Sequence, residues 1–309
     1  MTYPSFIEAA LTGKHTPWRY IAGTSLILFI WLGIGSVVTA IFIVFFAIIG
    51  NVNVQDLAQM TLDLTALGMI PYYLTLSASF IIFFLGIWLT VVLVHRRPLR
   101  TLVTGAPRIN WRRIGLGGGI WFLLAVAVSL IEYLIWPETF SLRFDWRAFV
   151  PFFLLAIFLT PIQTTSEELF FRGYLLQGGS LISRNAIFLS LLSGILFTLP
   201  HLANPEVAAG LVLVSLNYFV LGAFLTWISL KDGTLELALG IHAGNNLFAA
   251  LAVTFPDSAL PTPAIFYTTH FDPAFGLIVQ VVACVLFYLV VFGWRKRPIP
   301  TMETPPTAD

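Results

Sequence analysis

Long apolar blocks, separated by short polar segments, make up most of the 309-residue chain. A block of roughly 18 or more apolar residues can cross a bilayer as a helix, whereas an isolated strand cannot satisfy its backbone in lipid. Eight blocks fit this description. They cover approximately residues 20–49, 72–94, 114–136, 149–176, 185–202, 207–230, 235–255 and 275–294. The pattern predicts an all-α, polytopic membrane protein with about eight transmembrane helices.

Composition supports this class and excludes several others. Hydrophobic residues make up 58% of the chain and charged residues 10%, which is more apolar than a soluble domain requires. The first block is about twice as long as a signal-peptide core and lacks an A-x-A-like cleavage site, so we expect it to remain as an anchor. Cys284 is the single cysteine, which excludes a disulfide framework. No nucleic-acid signature is present, so no nucleic-acid partner is expected.

The loop charges predict an orientation. Lys and Arg gather before the first block and after the second, fourth, sixth and eighth, and basic residues favour the cytoplasmic side. Both termini are therefore expected in the cytoplasm, and the short loops favour a prokaryotic plasma membrane. The other loops contain the acidic residues Asp56, Asp63, Glu206, Asp257 and Asp272. The tail from 298 to 309 is predicted to be disordered.

Polar residues inside the blocks are concentrated in the fourth, fifth and seventh. A charged group at the bilayer centre costs about 2.5 to 3.5 kcal/mol on insertion scales, so retained charges pair with one another or have a function. The polar residues are Thr164, Thr165, Ser166, Glu167, Glu168 and Arg172, then His201, then His242, Asn245 and Asn246. Three helices are therefore predicted to share a polar interior.

The two adjacent glutamates are predicted to be unequal. Glu168 and Arg172 are four residues apart on one helix face and should form an ion pair. Glu167 lies about 100° away around the helix and gains no partner within it, which makes it the candidate general base. If the fourth helix continues past Leu176, the depths of Glu167 and His201 differ by roughly 6 Å. The alternative interpretation is that these charges only hold helices together.

The seventh block adds a second histidine. His242 and Asn246 share one helix face, and Gly240 and Gly244 would let another helix approach closely. We expect both histidines, including His201 at the end of the fifth helix, to converge with the free glutamate in a cavity about 10 Å across.

Three motifs result, E-E-x-x-x-R, F-x-x-x-H and H-x-x-x-N, on three successive polar helices. Together they resemble the CPBP family of intramembrane proteases, which includes the type II CAAX prenyl endopeptidase and bacterial lysostaphin-resistance, Abi and bacteriocin-immunity proteins. The matching residues are Glu167, Glu168, Arg172, Phe197, His201, His242 and Asn246. The resemblance covers about residues 151–253 and implies a CAAX-protease-like helical bundle. It divides the chain into N-terminal helices (1–145), a catalytic core (146–256) and a last helix with a cytoplasmic tail (257–309).

The resemblance also implies an activity, hydrolysis of a peptide bond in a membrane-associated peptide or protein. Glu167, helped by His201, would activate water, and His242 and Asn246 would donate hydrogen bonds to the oxyanion. The supporting residues would be Glu168 and Arg172. Nothing in the sequence forms a Ser-His-Asp or Cys-His nucleophile pair, so attack by water is favoured over an acyl-enzyme. The expected partners are the lipid bilayer and this substrate, whose identity the sequence does not predict.

Zinc and two other functions stay open in the sequence. Glu167, His201 and His242 are the residue types of a two-histidine, one-glutamate zinc site. The family has been described both as a metalloprotease and as a glutamate protease. Asn246 suits an oxyanion donor and H-E-x-x-H is absent, so chemistry without a cofactor is favoured. The competing functions are a non-catalytic bacteriocin-immunity or scaffold protein of the same fold, and an ion-coupled transporter, which the absence of an obvious inverted repeat disfavours.

Overall fold

The computed structural model describes residues 5–50 and 67–293, and eight helices of 16 residues or more account for most of them. Numbered in chain order, they are α1 (Pro17–Ile49), α2 (Met69–Val94), α3 (Trp111–Ile135), α4 (Trp146–Gly179), α5 (Ala186–His201), α6 (Leu211–Asp232), α7 (Glu236–Leu251) and α8 (Pro273–Phe292). Each helix corresponds to one predicted block. The all-α, polytopic membrane class is therefore confirmed for the described part of the chain.

The helices differ in length, and two of the three that carry the polar residues are the shortest. Six of the described helices are long and apolar enough to cross a membrane. The other two, α5 and α7, have 16 residues each. At 1.5 Å per residue they extend about 24 Å, less than the roughly 30 Å of a hydrocarbon core. The two short helices carry His201 and His242.

Some predicted boundaries are wrong. The seventh block was expected to reach residue 255, but α7 ends at Leu251 because the chain continues into a strand. The sixth was expected to begin at 207, but Pro205–Ala209 forms a 3-10 turn before α6. The predicted end at 294, two of the acidic loop residues and the tail lie outside the described residues. The orientation and the three-part division of the chain stay predictions.

A small sheet joins three loops at one end of the bundle. Its strands are β1 (Phe140–Leu142), β2 (Val253–Thr254) and β3 (Phe266–Thr268), in the order β1-β3-β2. β1 runs antiparallel to β3 and β2 runs parallel to it. Strands of two or three residues are too short for alternation to reveal them, so the sequence did not predict the sheet. The sheet ties the chain after α7 to the loop between α3 and α4.

Helix α7 lies between two apolar cores. Leu239 packs into a core built mainly by α1, α2 and α4, whereas Leu237 and Ile241 pack into a second core shared with α3, α6 and α8. Because α7 presents opposite faces to the two cores, its position is set from both sides. The packing of α7 on both sides therefore also sets where the side chains of His242 and Asn246 lie.

Glycines allow α7 to approach α3 at backbone distance, as the spacing predicted. A Cβ added at Gly240 would lie 2.0 Å from the carbonyl oxygen of Ile114 and 2.7 Å from the backbone nitrogen of Gly118. A Cβ at Gly244 would lie 2.6 Å from the carbonyl oxygen of Gly118. Since these neighbours are backbone atoms, no side-chain rotation can relieve the overlap.

We expect Gly240→Ala to lower the stability of the folded protein by about 1 to 3 kcal/mol, because the helices must separate to admit the methyl group. Thermal unfolding in detergent measures this. Gly119→Ala is the matched control on α3, since a Cβ there meets nothing within 4 Å. Equal melting temperatures for the two variants would show that the close contact is not required.

Candidate active site

The centre of the polar interior is the carboxylate of Glu168, which is completely buried together with Arg172. Its Oε1 accepts hydrogen bonds from Nη1 of Arg172 at 2.9 Å and from Nδ1 of His242 at 2.7 Å. The predicted ion pair is therefore present. The carboxylate of Glu168 also joins α4 to α7, a contact that the sequence did not indicate.

Helix α4 changes its winding directly after this carboxylate. Residues Leu169–Tyr174 form wider, π-type turns before regular helix resumes at Leu175–Gly179. Such turns are rare and are frequently found at functional sites. The helix nevertheless continues past Leu176, as the depth estimate required.

Glu167 lies beside both histidines. Its Oε2 is 3.9 Å from Nε2 of His201 and 3.7 Å from Nε2 of His242. The predicted convergence of these three side chains is therefore present. Oε2 is buried and accepts no hydrogen bond from any residue that the structure describes.

The expectation that Glu167 has no partner within its own helix is wrong. Nε2 of Gln163 donates to Glu167 Oε1 at 3.3 Å, one turn earlier on α4. The four-residue spacing between these side chains was the signal that could have revealed the contact. One oxygen of Glu167 is thus held by the helix, and the other faces the histidines.

Hydrogen bonds fix which nitrogen each histidine presents to Glu167. Nδ1 of His201 lies 2.7 Å from the carbonyl oxygen of Phe197, which can only accept, so Nδ1 carries a proton. Nδ1 of His242 likewise donates to Glu168, which is paired with Arg172. Nε2 is therefore the nitrogen that can gain or lose a proton in each ring.

Phe197, the first residue of the F-x-x-x-H motif, contacts both histidines and Arg172. Its ring lies 4.4 Å from the imidazole of His201 and 5.7 Å from that of His242, between ring centres. The guanidinium of Arg172 lies 4.0 Å from its ring centre. A cation over an aromatic face is stabilised by the ring quadrupole, so Phe197 supports the buried arginine as well as both histidines.

Asn246 lies one turn beyond His242 on α7. Its Oδ1 accepts a hydrogen bond from Nδ2 of Asn245 at 3.1 Å, and Oδ1 of Asn245 accepts one from Nε1 of Trp121 at 3.0 Å. This chain orients the amide of Asn246 so that its NH2 group is the end available to other acceptors. The contribution of Trp121 comes from α3, and no spacing in the sequence indicated it.

The formal charges of the cluster sum to one negative charge, so one further proton would make the cluster neutral. Glu167 and Glu168 contribute two negative charges and Arg172 one positive charge. A buried cluster with net charge is unfavourable in low dielectric. A second proton on either His201 or His242 makes the cluster neutral, and both rings face Glu167.

The donor set is of the kind that binds zinc, but its spacing does not fit. Zinc holds imidazole nitrogens and carboxylate oxygens at about 2.0 to 2.2 Å, so two ligands of one tetrahedral ion lie about 3.3 to 3.5 Å apart. The separations from Glu167 to His201 and His242 are wider, at 3.9 and 3.7 Å. In residues 5–50 and 67–293, no group of three His, Cys, Asp or Glu side chains is arranged to hold a metal ion. We therefore derive no step through a metal.

The fold and the site define the class of protein, a multi-pass membrane protein with a buried carboxylate–histidine centre. The family description "Type II CAAX prenyl endopeptidase Rce1-like" matches residues 146–248, which contain all the motif residues. A Bacillus subtilis (strain 168) protein, "Uncharacterized protein YyaK", is 33% identical over 298 residues, which is 95% of this chain and 97% of that protein. No solved structure matches the chain. The chain belongs to the CAAX endopeptidase (CPBP) family, so the resemblance seen in the motifs is confirmed.

The two glutamates should respond differently to neutralisation. Glu168→Gln leaves Arg172 as an unpaired buried charge, so we expect a loss of about 3 to 5 kcal/mol in the free energy of unfolding. Glu167→Gln keeps the shape and the contact with Gln163, so little change is expected. Thermal unfolding of the two variants in the same detergent is the measurement. Equal destabilisation would mean that Glu167 is as structural as Glu168.

Proposed function

We propose that this protein is an intramembrane endopeptidase that hydrolyses a peptide bond of a membrane-associated peptide or protein. The observation that carries the proposal is the buried Oε2 of Glu167, which lacks a hydrogen-bond partner within residues 5–50 and 67–293 and faces Nε2 of His201 and of His242. A water that donates to this oxygen would lie within reach of both rings. Membership of an endopeptidase family supports the reaction type.

Glu167 acts as the general base in the proposed reaction. It removes a proton from the water while the water oxygen forms a bond to the substrate carbonyl carbon. The proton then passes to the leaving nitrogen, through Glu167 or His201, as the C–N bond breaks. The products are a carboxylic acid and an amine, which ionise to a carboxylate and an ammonium group. His201 can take part because its Nδ1 donates to the carbonyl oxygen of Phe197, while its Nε2 lies 3.9 Å from Oε2 of Glu167.

His242 and Asn246 are the proposed donors to the oxyanion of the tetrahedral intermediate. Since Nδ1 of His242 donates to Glu168, donation from Nε2 requires the doubly protonated ring, which is one of the two arrangements that make the cluster neutral. Because Oδ1 of Asn246 accepts from Asn245, its NH2 group is the end that would donate to the oxyanion. Each preorganised donor of this kind contributes about 2.7 to 4 kcal/mol to the stability of the transition state.

The proposed reaction needs no cofactor, and the test combines metal removal with loss of one oxyanion donor. The purified protein in lipid vesicles is given membrane-anchored fluorogenic peptides, with and without a prenylated C-terminal cysteine. Cleavage should continue in a strong chelator, and Asn246→Ala should reduce turnover by roughly 10² to 10³. Asn217→Ala is the control, because that intramembrane asparagine faces Gly276 of α8.

The metal-free reaction would be overturned if the purified protein held one zinc ion per chain, if activity were lost when that zinc was removed, and if activity returned when zinc was added back. His201, His242 and Glu167 would then be its ligands. Equal turnover by Asn246→Ala and Asn217→Ala would remove Asn246 from the oxyanion site. A wild-type protein that cleaves none of the peptides but keeps its effect in cells would favour the non-catalytic role.

A further inference from the structure

His201 is only partly buried, although its ring must be held in one orientation. It is the last residue of α5 and follows Pro200, which has no backbone N–H to continue the helix. Its side chain is 18% exposed, whereas that of His242 is 3% exposed. His242 is fixed by Glu168, but His201 has no charged partner at Nδ1. Its orientation must therefore come from other contacts.

One face of the His201 ring packs on Phe197, and Tyr218 of α6 supplies a second aromatic contact. The ring centres of His201 and Tyr218 are 4.4 Å apart, with an angle of 37° between the planes. The corresponding values for Phe197 are 4.4 Å and 42°. With Nδ1 bonded to Phe197 O, two aromatic contacts leave Nε2 free to face Glu167. Tyr218 lies outside the three motifs and has no role in the proposed reaction so far.

The hydroxyl of Tyr218 is held at the opposite end of its ring. It donates to Oε1 of Glu206 at 2.5 Å and accepts from Nδ2 of Asn204 at 2.8 Å. The other oxygen of Glu206 accepts from the backbone N–H of Ala259 at 3.0 Å. Glu206 therefore ties the loop after His201 to α6 and to the loop after α7. A hydrogen bond to an ionised carboxylate is stronger than a neutral one, so the tyrosine ring is firmly held.

We propose that Tyr218, fixed by Glu206 and Asn204, is the positioning residue that orients His201 toward Glu167. This inference rests on the proposed function for its catalytic consequence. The same physical logic applies in active sites where a catalytic histidine is oriented by a third group. Here the orienting contact is the aromatic packing of Tyr218 on His201. The hydrogen bonds with Glu206 and Asn204 hold Tyr218 and do not touch His201 directly.

The first test reads the ring of His201 without any activity. The protein is labelled with ¹³C and ¹⁵N at its five histidines, and the His201 signal is assigned by its loss in His201→Ala. A ring packed against aromatic faces carries a ring-current shift. We expect Tyr218→Leu to lose the part of the shift that comes from Tyr218, while the part from Phe197 remains, and Tyr218→Phe, which keeps the aromatic ring, to retain most of the wild-type shift. An unchanged His201 signal in folded Tyr218→Leu overturns the proposal.

The second test measures peptide cleavage. Tyr218→Leu should lower kcat by roughly 10- to 100-fold, the scale expected for a displaced catalytic group, with KM unchanged. Tyr218→Phe should restore most of this loss. Phe219→Leu is the matched control, because Phe219 lies next in the chain and packs on α5 at Gly194. An equal loss of kcat in Phe219→Leu would mean that general packing of α5 on α6 is responsible.

A double-mutant cycle separates positioning from other effects. If Tyr218 acts through His201, then Tyr218→Leu should cause no further loss of kcat in a His201→Ala background. The same loss in both backgrounds overturns the proposal. If the wild-type protein cleaves no peptide, the proposed function fails and the positioning role fails with it, whereas the histidine spectra still decide whether Tyr218 packs on His201.

Discussion

The carboxylate of Glu168 is the interaction on which the rest of the site depends. One oxygen accepts from Arg172 of its own helix and from His242 of α7, in a place that water does not reach. A buried charge deprived of its partner costs about 3 to 5 kcal/mol, so this contact fixes the two helices relative to each other. It also turns Nε2 of His242 toward Glu167. Glu168 thus determines part of the surroundings of Glu167.

Two short helices explain how such a centre can exist in lipid. α5 and α7 are about 24 Å long, and the loops that follow them are linked through Glu206 and Ala259. Irregular backbone at membrane depth is tolerated only where it is buried in protein or lines a cavity that admits water. Hydrolysis needs water beside an apolar substrate. The early end of α5 places its last residue, His201, beside Glu167.

Contacts within one helix or set by helix length could be predicted, and contacts between distant segments could not. The Glu168–Arg172 pair follows from four-residue spacing, and the meeting of Glu167 with His201 follows from counting residues to the turn between α4 and α5. The π-type turns interrupt no apolar pattern and so gave no signal. The hydrogen bond between Glu206 and Tyr218 joins a loop to a helix, where no periodic spacing applies.

The central claim is that Glu167 activates the water that attacks the peptide bond. The most direct measurement is the rate of peptide cleavage by Glu167→Gln in lipid vesicles, at a protein concentration and melting temperature matched to wild type. The account predicts no detectable cleavage, because the amide preserves the shape and the contact with Gln163 but cannot accept the proton. Cleavage at the wild-type rate by this folded variant would contradict the account and transfer the base to another residue.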